Sequence, residues 1–324
     1  MNPPGQPLQS GYPVQGTSGH RLHKPGVAGS SPAAAILSHD EPIRSYHSDR
    51  EWWSKSQLWT LHSDGPAAFH ARYFGTPQQY GESEALKKGT YVHEWAEQGD
   101  EAWWSRVVII PEDALGAGGR RTKATDQFEE ETKTGRPDAI ILKIDEAEAY
   151  RTQFDSILRC EAFKELTEAT VAREFSVRWT DQYSGLQLKC RPDAVTEDTA
   201  WDIKTTREAK PQETFWKSVI DYGYSYQQVL YLAGLKAAGL NIRKFVFLVT
   251  STQGPSYRCH AVTLPERLVT KAEALVRKTS VELQARLELD HWLPEDSGQV
   301  TELYVPERYM EERNASRSAL RWVQ

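Results

Sequence analysis

From Trp52 onward the apolar positions of this chain recur with periods that sort it into elements, whereas residues 1 to about 48, rich in Pro, Gly, Ser and Gln, show no sustained period. That opening reads as a flexible tail, in which only residues 32–37 are apolar enough to dock on anything. Ser54-Lys55-Ser56-Gln57-Leu58 starts a helical segment that ends at Gly65-Pro66. A second helix follows Thr90, taken as its N-cap, which puts His93 in the first turn. Residues 103–110 read as a strand and 111–134 as a polar, glycine-containing loop. From 146 to 170, Tyr150, Phe154, Ile157, Leu158, Phe163 and Leu166 fit one long or two short helices packed on a sheet. The pattern then changes.

Over residues 171–179 the period becomes two, with Phe175, Val177 and Trp179 on one face and Glu174 on the other. Residues 186–206 continue as two strands joined by the polar turn 196–199. In the first, Leu186, Leu188 and Cys190 share a face, and Lys189, Arg191 and Asp193 share the opposite one. In the second, Trp201 and Ile203 point into a core while Asp202 and Lys204 point away together. Helices over 213–221 and 224–238 meet at Gly223, and their Gln227 and Tyr231, i and i+4, lie on one helix face. Strands over 244–251 and 256–264 flank the turn 252–255, and Pro265 opens a helix running to about Leu289. This order predicts an α/β fold with a mixed sheet flanked by helices.

Composition narrows the chemistry. With 324 residues and 39% hydrophobic content the chain can bury one large core, expected over 49–290 as a single catalytic domain, with tails at 1–48 and 291–324. The net charge of −6 gives no global basic footprint for nucleic acid, although a local basic groove can coexist with an acidic site. Cys160, Cys190 and Cys259 are widely spaced, include no C-x-x-C, and are too few for an iron-sulfur cluster. They read as small buried residues of a reducing cytoplasm. No run of about 18 apolar residues is present to span a membrane.

The convergence of Asp193, Asp202 and Lys204 at one end of a hairpin suits metal-assisted phosphodiester cleavage. Two carboxylates, with the Ile203 carbonyl between them, form a hard oxygen set for Mg²⁺ or Mn²⁺. Lys204, on the face of Asp202, is placed to orient water and offset charge on a phosphate. An isolated D-x-K is usually a solvated ion pair, so the wider pattern matters. A near copy, Arg136-Pro137-Asp138-Ala139, has no acid-x-Lys pair after it, because Ile141 stands two before Lys143, and Asp138 reads as structural.

Arg191-Pro192-Asp193, the spacer to Trp201, and Asp202-Ile203-Lys204-Thr205-Thr206 together resemble the signature of the PD-(D/E)XK nuclease superfamily, and more narrowly the exonuclease VIII (RecE) type of phage recombination nuclease. The likeness runs from about Trp53 to Leu264. It implies a restriction-endonuclease-like core and a Mg²⁺-dependent 5′-to-3′ exonuclease acting on double-stranded DNA ends. It further implies that His93, in the pattern Gly89-x-x-x-His93, is a metal ligand or phosphate contact, that Glu174 completes the metal shell, and that Gln227 and Tyr231, with Arg191, support the site or touch the DNA backbone. A ring-like homo-oligomer and a single-strand annealing protein as partner are also implied. The rival readings are a structure- or sequence-specific endonuclease on the same core and a non-catalytic DNA-binding or assembly module.

Overall fold

The computed structural model describes residues 35–76, 83–207, 210–253, 257–293 and 300. It opens with strand β1 (Ile36–Ser38) and the short helix α1 (Ile43–Ser48), then the long helix α2 (Lys55–Tyr73), in which Gly65 at φ +83° breaks the helical path just before Pro66. Helix α3 (Glu84–Gln98) is followed by α4 (Asp100–Ser105), β2 (Val107–Ile109), α5 (Lys123–Gly135), β3 (Ile140–Leu142), α6 (Ile144–Leu158) and α7 (Glu161–Glu168). Then come β4 (Ala172–Arg173), β5 (Ser176–Thr180), β6 (Gln187–Cys190), β7 (Ala194–Val195) and β8 (Thr199–Thr206). Helices α8 (Pro211–Asp221) and α9 (Tyr224–Ala237), strands β9 (Lys244–Ser251) and β10 (Cys259–Val262), and helix α10 (Glu266–Leu289) complete it.

The expected mixed sheet flanked by helices is present. Its five strands run β10-β9-β8-β7-β4, with β8 and β9 parallel and the other neighbours antiparallel. A second sheet, β1-β5-β6, is antiparallel, and β2 and β3 form a parallel pair. Two apolar clusters use opposite sides of β8 and β9. Trp201, Ile203 and Leu248 pack with Val92, Trp95, Phe154 and Phe163 of α3, α6 and α7. Ala200, Phe245, Phe247 and Val249 pack with Leu58, Phe215, Tyr226 and Leu283 of α2, α8, α9 and α10. Each such large side chain contributes roughly 1.5–3 kcal/mol by burial, so β8 is held from both faces.

Several local expectations need correction. Thr90 is not an N-cap: α3 begins about two turns earlier, capped by Ser83, whose side chain accepts the Leu86 N–H. The strand predicted over 103–110 is half helix, because Trp103 and Trp104 belong to α4, and the loop over 111–134 contains α5, capped by Thr122. The period-two stretch 171–179 is two strands of different sheets, broken at Glu174, whose φ of +49° leaves extended backbone. Likewise residues 186–195 are not one strand, since β6 belongs to the second sheet and β7 to the first.

The tail boundary also moves. Ile36–Ser38 pairs with β5, Tyr46 is buried, and Arg178 of β5 binds Glu41 and Asp49. Residues 35–48 therefore belong to the folded body, while the expectation for 1–34 lies outside the described residues. At the other end Trp292 stacks on Phe69 at 5.4 Å, so the folded body extends past Leu289. Residues 294–299 and 301–324, where the C-terminal tail is expected, lie outside the described residues.

Candidate active site

The segment Arg191-Pro192-Asp193 is the crossing between the two sheets, from β6 to β7. Proline suits a crossing because it has no N–H to leave unpaired. The antiparallel ladder between β7 and β8 ends at the pair Ala194↔Trp201, and beyond it that edge of β8 has no neighbouring strand among the described residues. Asp193 caps the open edge: its Oδ2 accepts the Ile203 N–H at 3.0 Å. The Ile203 carbonyl lies on the same edge, since N–H and C=O of one strand residue face the same side. Nδ1 of His93, from α3, lies 3.0 Å from the same Asp193 oxygen.

Alternation along β8 turns Asp202 and Lys204 away from Trp201 and Ile203, as expected, but into the packed layer under α9 and not toward solvent. Asp202 is only 1% exposed. Lys204 Nζ donates to both its carboxylate oxygens, and Gln227 Nε2 of α9 donates to Oδ2 at 2.7 Å. Burial, and then the charge of Asp193, push the Asp202 pKa up against the pull of Lys204. For Asp193 the effect of burial is outweighed by His93 and Lys204, and its pKa is lowered. Burial disfavours the charged forms of His93 and Lys204, yet the neighbouring carboxylates win and both pKa values are raised. The site thus sets two acidic side chains against a lysine and a histidine, each shifted by the others.

The remaining expected residues fall around this centre. Glu174 does not enter it as a free ligand, because Arg191 Nε binds its carboxylate at 2.9 Å. Burial, then the Asp193 charge, raise the Glu174 pKa to about 7 despite that hydrogen bond. Arg191 also donates to the Glu41 carbonyl at 2.9 Å, tying the N-terminal segment to the crossing. The charged face expected for Lys189, Arg191 and Asp193 is not solvated: Lys189 is 3% exposed and donates to the carbonyls of Tyr46 and Asp49, both at 2.6 Å. Tyr231 packs edge-on against Phe245 in the core cluster. Asp138 stays apart, 3.7 Å from Arg106 at the surface.

Lys55 and Tyr224 escaped the sequence reading. Lys55, at the start of α2, donates to the Tyr222 carbonyl and sits 5.4 Å from the centre of the Tyr224 ring; Lys204 lies 5.1 Å from the same ring centre. Burial and the nearby Lys204 lower the Lys55 pKa to about 8. The available signal was the Ser54 capping box that fixes where α2 begins, but not which wall α2 would face.

Residues 54–303 match a family described as a PDDEXK-like domain of unknown function (DUF3799). The chain belongs to this family. Among solved structures, the PDDEXK-like chain is similar to a protein from Eubacterium rectale named "Putative exonuclease", at a TM-score of 0.51 and 14% identity, covering 84% of this chain and 97% of that one. At that identity the likeness is one of fold. No curated protein matches the chain.

Among the described residues, no three or more His, Cys, Asp or Glu side chains are gathered as a metal-holding group. The full shell expected from the sequence is therefore not assembled, with Glu174 held by Arg191 and His93 turned onto Asp193. The smaller set still fits a hard divalent cation. Asp193, Asp202 and the Ile203 carbonyl are all oxygen donors, and the ammonium of Lys204 already sits against Asp202 as a cation. No helix among the described residues is long and apolar enough to cross a membrane.

Proposed function

We propose that the protein is a divalent-metal-dependent deoxyribonuclease, a 5′-to-3′ exonuclease of the exonuclease VIII (RecE) type that degrades double-stranded DNA from its ends. The observation that carries this reading is the meeting of Asp193, Asp202, Lys204 and Gln227 at the open edge of β8, in a chain of PDDEXK-like family. Asp193, Asp202 and the Ile203 carbonyl would hold Mg²⁺, with Mn²⁺ able to substitute. Bound there, the cation would polarise phosphate oxygens and lower the pKa of a water.

The chain's own groups do the rest. Lys204 keeps its proton, since the two aspartates raise its pKa, so it serves as a donor and fixed positive charge and not as a general base. It orients the attacking water and offsets charge developing on the phosphate. Gln227 pins one Asp202 oxygen, and His93 pins Asp193, which keeps both carboxylates turned toward the cation position. Water oxygen joins phosphorus as the bond to the 3′ oxygen breaks, giving a 5′-phosphate and a 3′-hydroxyl. We further propose a cytoplasmic homo-oligomer that works with a single-strand annealing protein, a reading supported by the sequence resemblance.

The test is digestion of linear, 5′-labelled duplex DNA with Mg²⁺ beside a covalently closed circle and an Asp202→Ala control. Early release of labelled mononucleotide, an intact circle and an inert control are expected. Nicking of the circle would move the assignment to an endonuclease, and no cleavage even with Mn²⁺ would move it to a binding module.

A further inference from the structure

At the carboxyl ends of the parallel strands β8 and β9, between α3 and α8, lies a groove of about 630 Å³. Strand ends of this kind are where open α/β sheets take ligands. The groove starts one residue beyond Lys204, at Thr205, and its charged lining among the described residues is Lys88, Arg207 and Lys217 against the carboxylate of Asp221. In a chain of net charge −6 this is a local reversal of sign. None of the three cations forms an ion pair among the described residues. Tyr222 also lines the groove, with 59% of its surface exposed, and its ring lies 5.9 Å from that of Tyr224, the ring beside Lys204.

Cations spaced along a groove read phosphates without regard to sequence, and an exposed aromatic ring offers a face to a base whose own face is free. Bases inside a duplex are stacked on both sides, so such a ring selects an unpaired strand. Resting on the nuclease reading above, we infer that this groove seats a single DNA strand continuous with the scissile phosphate, its phosphates on Lys88, Arg207 and Lys217 and one base on Tyr222. The groove then contributes affinity and strand separation, not the bond-breaking step.

The experiment titrates the full-length protein, in EDTA, into labelled oligothymidylate and into a matching blunt duplex, for wild type, Tyr222→Ala and Lys217→Glu. The same preparations are assayed with Mn²⁺ on linear DNA and on bis-p-nitrophenyl phosphate, a diester too small to reach the groove. Both side chains are exposed, so unchanged thermal unfolding is expected. Tyr222→Ala is expected to weaken oligothymidylate binding about 5- to 150-fold, the loss on removing one base-aromatic stack. Lys217→Glu is expected to weaken it and to flatten its salt dependence. Turnover of the small diester should match wild type. Wild-type affinity in both variants would overturn the groove assignment, as would equal losses for duplex and single strand. Binding that responds to the substitutions in a protein that hydrolyses neither substrate would overturn the nuclease reading and leave the groove; cleavage of DNA with neutral groove variants would do the reverse.

Discussion

The chain contains the tetrapeptide Arg-Pro-Asp-Ala twice, at 136–139 and 191–194, and gives the two copies different surroundings. Both lead directly into a short strand, β3 or β7. In the first copy Arg136 donates to the Ser105 carbonyl at 2.7 Å, and the Asp138 side chain stays 66% exposed beside Arg106. In the second, Arg191 is fixed by Glu174 and Glu41, and Asp193 takes the Ile203 N–H and His93. The neighbouring strand makes the difference. β7 pairs with Ala200 and Trp201 of β8, the strand that runs on into Asp202-Ile203-Lys204, whereas β3 runs beside β2, whose Val107, Val108 and Ile109 offer only apolar side chains. On the nuclease reading proposed above, the second copy differs from the first in having a second carboxylate and a cation on the adjoining strand.

The sharpest way to break this contrast is Lys204→Ala. Cleavage of linear DNA should fall by about 10²- to 10³-fold, the usual cost of removing one charge-stabilising group, while a thermal shift with Mn²⁺ persists. Undiminished cleavage would make Asp193 no more catalytic than Asp138. Next comes His93→Ala, which removes the partner of Asp193. The Mn²⁺ concentration for half-maximal cleavage should rise roughly 10- to 100-fold, and a metal titration of initial rates measures it.

A third prediction concerns pH in the absence of divalent cations. The folded pKa of Glu174, about 7, stands above its ordinary 4.5, so between these values the folded state keeps a proton that the unfolded state has lost. Stability should therefore fall as pH rises through that window, by roughly 3 kcal/mol at most, and level off above it. Melting temperatures in EDTA should show the slope in wild type and a flatter one in Glu174→Gln; identical slopes would mean that Glu174 is already ionised. The smallest effect belongs to the first copy. Asp138→Asn should change stability by less than about 0.5 kcal/mol and leave cleavage rates as they are, because it loosens only a long, exposed ion pair with Arg106.

The parts of the site legible in the sequence were those set by local periodicity. Alternation alone put Asp202 and Lys204 on one face of β8, helical spacing put Gln227 and Tyr231 on one face of α9, and the family resemblance singled out Gln227. His93 was picked out by the resemblance of Gly89-x-x-x-His93, and moving the cap from Thr90 to Ser83 leaves the residue on the same helix. Glu174 was misplaced for a physical reason: period two holds only while the backbone stays extended, and its positive φ ends one strand and lets the next join another sheet. Lys55 was missed because its proximity to Tyr224 depends on where α2 docks, not on its own neighbours in sequence.

By itself the sequence determined the elements that short-range pattern and capping dictate, the apolar faces of β8, and the all-oxygen donor set with its lysine. The tertiary structure alone decided which surfaces met. It set Glu41 and Asp49 on Arg178 across more than a hundred residues, brought the thiols of Cys160 and Cys259 near enough to shift one another's pKa, and buried Lys189 under the N-terminal segment. Most of all it decided what surrounds Asp202. A strand's alternation says that a side chain points away from one core, but only the helix packed on the other side says whether it points into water or into a second interior. There, burial and the nearby Asp193 raise the pKa of Asp202, and Lys204 and Gln227 answer its charge.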